Sequence, residues 1–133
     1  MKQAEIEKLD PNLASLGAGD GLRWYDVRHL DMDGRGWSET AHPFDRLPAR
    51  AEATVPPNVW SLSRHSAGMA VRWRACTAKL AVRWTLRNGG LAMAHMPATG
   101  VSGLDLYARV DGRWTWAATG IPRDKTTSQT LLD

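Results

Sequence analysis

Apolar and polar side chains alternate most regularly in four runs of this chain. Met69, Val71 and Trp73 alternate with Ala70, Arg72 and Arg74, and Leu80, Val82, Trp84 and Leu86 alternate with Lys79, Ala81, Arg83 and Thr85. Leu104 to Val110 and Arg113 to Thr119 repeat the pattern on either side of Asp111-Gly112. A period of two places successive side chains on opposite faces of a strand. The first two runs predict a strand pair turning at Cys76-Thr77-Ala78, with one apolar and one basic face. Like charges facing each other on a sheet repel. Arg72, Arg74 and Arg83 are therefore expected to meet acidic partners elsewhere or to stay solvated; the alternative is a basic face lying under another domain.

Asp-Gly between alternating runs is a two-residue hairpin signal. With that turn, Val110 faces Arg113, Arg109 faces Trp114, and Tyr107 faces Trp116. Tyr107, Arg109, Trp114 and Trp116 then share one face, where aromatic cross-strand contact and an Arg–Trp cation–π contact are expected. Leu106, Ala108 and Val110 share the other face with Thr115 and Ala117. Both faces are partly apolar, so the hairpin is expected to be covered on both sides.

The remaining stretches are less regular. Leu22 to Val27 is rich in aromatic and branched residues and reads as a strand. Asp31 to Gly36 reads as a turn built on Asp and Gly. It is not read as a calcium loop, because Arg35 and His42 occupy the fifth and twelfth positions where ligands would be needed. Pro43, Pro48, Pro56 and Pro57 oppose both a long helix and a central strand between Thr40 and Pro57. Ser63 to Gly68 sets serines beside His65 but carries no nucleophile-elbow glycines, and reads as a turn entering a strand. Residues 1–21 form an arm in which Ile6, Leu9, Leu13 and Leu16 suggest a short helical turn broken by Pro11. Gly120 to Asp133 is polar and reads as a loop that leaves Leu131 and Leu132 hanging.

Composition narrows the classes. A chain of 133 residues is one domain's worth, and 43% hydrophobic with 23% charged content is that of a globular protein. The net charge of +3 is small, and the 17 basic residues are interleaved with apolar ones, so no nucleic-acid partner is expected. The single cysteine, Cys76, forms no internal disulfide. His29, His42, His65 and His95 lack metal-ligand spacing, so no metal and no cofactor are expected. No run reaches membrane-spanning length, so no membrane partner is expected. Met1 to Asp20 lacks the continuous apolar run of a signal peptide. Seven tryptophans and two tyrosines against one phenylalanine suit a sandwich core, an interface or a sugar-stacking surface, because these rings join an apolar body to a polar tip.

Leu91 to Tyr107 (LAMAHMPATGVSGLDLY) is the most informative stretch. Pro97, Gly100 and Gly103 mark a loop rather than a helix. Loops normally lie in water, yet this one carries Met93, His95, Met96, Ala98 and Val101, so something is expected to cover it. Its end, Gly103-Leu104-Asp105-Leu106-Tyr107, resembles the motif of the GxDLY domain, which precedes the catalytic domain in one group of SGNH-hydrolase-type esterases. Trp24–Trp37, Phe44–Gly68 and Val82–Asn88 resemble further segments of that family, in order.

The resemblance implies an all-β fold over residues 22–133, an antiparallel, jelly-roll-like β-sandwich that is incomplete at its C-terminus. It also implies that the segment before Pro57 wraps the sandwich in extended form. An unpaired strand edge left by missing strands would invite self-association. The family's esterase chemistry needs a serine nucleophile activated by a late Asp–His pair; no Gly-Asp-Ser-like block is present, and the one Asp-x-x-His spacing, Asp26-Val27-Arg28-His29, lies near the start of the chain rather than late in it. The expectation is therefore a non-catalytic accessory domain whose partner is an SGNH catalytic domain in cis, in an ester hydrolase of acylated carbohydrate or another small ester, in a family often exported. His95, Met96, Pro97, Ala98, Thr99 and Gly100 would shape the mouth of that active site. The alternatives are an independent carbohydrate-binding module, with Trp114, Trp116, Tyr107 and Arg109 as its platform and Trp37, Trp60 and Asp105 as further candidates, and a purely structural domain.

Overall fold

The computed structural model describes residues 21–133. The helical turn expected within residues 1–21 thus lies outside the described residues, apart from Gly21. The chain forms two compact units, one running to Arg74 and the other from Ala75 to Asp133. Its sheets are all antiparallel and two-stranded, with little helix and no closed barrel among the described residues, as the all-β expectation required.

In the first unit, strand β1 (Asp31–Asp33) pairs with β2 (Ala70–Arg72), so that Met32 faces Val71. The expected partner of β2 was the strand beginning at Lys79, and Asp31–Asp33 was expected to be a turn. Both expectations fail for one reason. A three-residue strand flanked by acids has no strand propensity of its own, and what fixes it is long-range. Arg72 grips Asp33 through a hydrogen bond from Nη2 to Oδ1 at 2.7 Å and an ion-pair contact between Nε and Oδ2 at 2.5 Å. The acidic partner expected for Arg72 is thus the residue misread as part of a turn.

Leu22 to Val27 is not a strand either. Asp26 turns its carboxylate onto the Arg28 backbone N–H at 2.9 Å and so starts a 3-10 turn, Val27–His29. The Pro-rich segment is a second 3-10 turn, Ala49–Ala53, followed by helix α1 (Pro57–Ser63). Pro57 at the first helical position has a pre-set φ and no N–H to lose, which suits a helix start. Arg64 to Gly68 then turns into β2, as expected.

The second unit holds the other two sheets. Strand β3 (Leu80–Thr85) pairs with β6 (Thr126–Leu132), and β4 (Leu104–Val110) with β5 (Arg113–Gly120). The tail is therefore a strand, not a loop. Its threonines are β-branched and suit a pleated surface, and its buried polar atoms serve the backbone. Thr127 Oγ1 accepts from the N–H groups of Arg123 (3.1 Å) and Asp124 (3.4 Å), and Gln129 Oε1 accepts from Ile121 N at 2.8 Å.

Burial is inverted relative to an ordinary core. Among the described residues no large apolar side chain is buried, whereas Asp45, Ser63 and Thr127 are, together with Pro48, Gly120 and Pro122. Each of these polar groups has partners. Ser63 Oγ donates to the Trp60 carbonyl at 2.7 Å. Asp45 Oδ2 accepts from His42 N at 3.1 Å and stands 2.8 Å from Arg64 Nε. That guanidinium lies 5.1 Å from the centre of the Trp60 ring.

Candidate functional site

The loop from Leu91 to Ser102 is built, not slack. Met93 and Met96 exchange both backbone hydrogen bonds, at 3.0 and 3.2 Å, around Ala94-His95. Pro97 then opens a short helix, α2 (Ala98–Ser102), where a loop without helix was expected. The Pro97 carbonyl accepts from Gly100 N (3.0 Å) and Val101 N (3.1 Å), so a proline at the helix boundary supplies an acceptor without needing to donate. Ser102 Oγ donates to the Leu91 carbonyl at 2.7 Å and closes the loop on itself, while Trp84 Nε1 donates to the Ser102 carbonyl at 3.0 Å.

Covering of this loop was expected, and the structure shows it open. Met93 is 51% exposed and Met96 39%; His95, Pro97, Thr99 and Gly100 are exposed and Ala98 is half-exposed. The six residues singled out in sequence are thus brought to one surface segment. Trp84 and Ser102, which hold it in place, were not singled out; the only sequence sign was that Ser102 directly precedes the GxDLY motif.

The motif itself joins loop to hairpin. A Cβ on Gly103 would collide with the Thr99 carbonyl oxygen and stand 2.8 Å from the Gly120 carbonyl oxygen, so only glycine fits. Leu104 faces Gly120, over which the Trp84 ring lies. Asp105 Oδ1 accepts from Thr119 Oγ1 at 2.8 Å, and that hydroxyl accepts from Trp116 Nε1 at 3.1 Å. A bulge between Leu106 and Tyr107 makes this relay geometrically possible. Without the extra residue in β5, Thr119 would point to the opposite face from Trp116.

The hairpin has the register read from the sequence: Val110 opposite Arg113, Arg109 opposite Trp114, Tyr107 opposite Trp116. Asp111 (φ 50°) and Gly112 (φ 80°) form the left-handed turn that an Asp-Gly pair suits. The expected covering of both faces is not seen. Tyr107, Trp114 and Trp116 are each more than half exposed, at 52%, 56% and 57%. The expected Arg109–Trp114 cation–π contact is also absent; Arg109 instead donates Nε to the Gly112 carbonyl at 3.4 Å. A guanidinium does lie over a ring in the other unit, where Arg64 meets Trp60.

Trp37, also in that other unit, lines a shallow open depression with Arg28, Asp31, Met32 and Arg35. Arg28 is already engaged there. Its side chain holds both carboxylate oxygens of Asp26 and, with the Arg28 backbone N–H, keeps the Asp26 carboxyl at a pKa of about 2. No group of three or more His, Cys, Asp or Glu that could hold a metal occurs among the described residues.

A family model for the GxDLY domain, the N-terminus of SGNH-hydrolase-type esterases, matches residues 22–133. Among solved structures, the chain is similar to one named a GDSL-like lipase, from Bacteroides ovatus. The identity is 27% and the TM-score 0.70, over 80% of this chain and 31% of that one. The chain thus spans about a third of the length of that relative. No curated protein matches. The family match takes in both the loop and the hairpin, and the chain belongs to the GxDLY family, the N-terminal domain of SGNH-hydrolase-type esterases.

Proposed function

We propose that this domain is a non-catalytic accessory module that packs in cis on an SGNH catalytic domain and brings the His95–Gly100 loop to the rim of its active site. One observation carries the reading. The loop is tied down by the Met93–Met96 pair, the Ser102–Leu91 bond and Trp84 on the Ser102 carbonyl, while Met93 and Met96 face outward. A segment ordered by its own hydrogen bonds and apolar on its outer surface is suited to another protein surface. The chain's best-placed serines support a structural part, since Ser63 and Ser102 both donate to main-chain carbonyls. The whole protein would then hydrolyse an ester of a carbohydrate or another small ester, with the loop limiting what reaches the nucleophile.

The test is a polypeptide joining residues 1–133 to an SGNH catalytic domain, with His95–Thr99 replaced by Gly and Ser. The expected result is a changed ratio of kcat/KM between a small acetate and an acetylated oligosaccharide, with weaker binding of the two parts when supplied separately. If specificity and interdomain affinity both stay unchanged, the proposal fails.

A further inference from the structure

We infer that the outer face of the β4–β5 hairpin is a stacking platform for a neutral oligosaccharide. The inference stands on the hairpin alone and not on the docking of the loop. On this face β4 presents Asp105, Tyr107 and Arg109, and β5 presents Trp114, Trp116 and, through the bulge, Thr119. All three rings are exposed, and Leu104, Leu106, Ala108 and Val110 belong to the other face. Trp, Tyr and Arg also anchor protein interfaces, so the rings alone do not choose the occupant. Rings flanked by a hydroxyl, a carboxylate and a guanidinium match a pyranose, which offers C–H bonds from its flat side and hydroxyls at its rim.

The polar groups are placed for those hydroxyls. Asp105 Oδ1 is occupied by Thr119, which leaves Oδ2 as an acceptor. Arg109 uses Nε on Gly112 and keeps its terminal nitrogens as donors. One carboxylate and one guanidinium cancel, which favours an uncharged ligand over a polyanion or polycation. Trp116 is held by the Trp116–Thr119–Asp105 relay although its ring is open to water. A ring fixed before the ligand arrives loses little freedom on binding. Trp114 and Trp116 stand two residues apart, roughly 6.7 Å along the strand, and can take neighbouring sugar units.

The test is titration of the whole 133-residue chain with cellohexaose and with xylohexaose, read by tryptophan emission and by calorimetry. Saturable binding of at least one of these sugars is expected. Trp116→Ala should weaken it roughly three- to tenfold, with Trp116→Tyr keeping most of the affinity. Thr119→Val, which keeps the ring but releases it, should cost about threefold, and Trp37→Ala nothing. Far-UV circular dichroism confirms that each variant is folded. Absence of saturable binding by both sugars overturns the inference, and so does binding that Trp114→Ala and Trp116→Ala leave intact. If the folded double variant loses affinity for a catalytic domain and not for sugar, the face is a protein interface and the inference is wrong.

Discussion

Gly103 opens the GxDLY motif where three backbone segments meet, and its missing side chain is a packing requirement. A methyl group there would press on the Thr99 and Gly120 carbonyls, neither of which can move without disturbing α2 or the hairpin. Gly103→Ala should destabilise the second unit by roughly 1–3 kcal/mol, seen as a lower urea midpoint by far-UV circular dichroism; an unchanged midpoint would contradict this packing. Asp26 makes a different kind of prediction. Its carboxyl titrates near 2 in the folded chain, below the ordinary 3.8, because Arg28 holds the charged form by side-chain and backbone hydrogen bonds. Its contribution to stability is therefore complete above about pH 4 and fades as the pH falls toward the folded value of about 2. A carboxyl-carbon NMR titration should place the Asp26 midpoint near 2. The stability gap between the wild type and Asp26→Asn should close over the same range.

Elements differ in how far local sequence determines them. The β4–β5 hairpin is local. Its turn demands positive φ at two adjacent positions, Asp-Gly supplies them, and the register follows for every pair from Val110–Arg113 back to Tyr107–Trp116. Gly112→Ala should cost about 1 kcal/mol, measured as a lower melting temperature with faster amide exchange at Arg113. Strand β6 is the contrary case. Its sequence reads as a polar loop because its inward side chains, Thr127 and Gln129, face backbone groups and not a hydrophobic layer. Thr127→Val keeps the shape but leaves the Arg123 and Asp124 N–H groups without that acceptor. A loss of roughly 1–3 kcal/mol is expected, whereas an apolar-core reading of β6 would predict a gain.

At the scale of the whole molecule the notable property is how much apolar surface stays open. Tyr107, Trp114, Trp116, Met93 and Met96 in one unit, and Trp37, Phe44 and Leu62 in the other, are all substantially exposed. Such surface ordinarily marks binding sites. The native chain should therefore raise the fluorescence of an apolar dye such as ANS, and a saturating SGNH catalytic domain should suppress the part of that signal that comes from the Met93–Met96 loop. A native chain that leaves the dye dark would mean these side chains are covered in solution.

By itself the sequence determined whatever depends on neighbours along the chain: the all-β character, the Asp-Gly hairpin with its register, the strand-entry turn after Ser63, and the family, through GxDLY and its companion segments. The open apolar loop was visible as a composition, but its internal helix and closing bonds were not. Tertiary structure decided the partners of β2 and β3, the strands at Asp31–Asp33 and Thr126–Leu132, and the exposure of the aromatic face. Each of those depends on atoms distant in sequence, such as Arg72 reaching Asp33 across 39 residues. Alternation along a strand says which side chains share a face, but not which strand lies beside it or whether that face is covered.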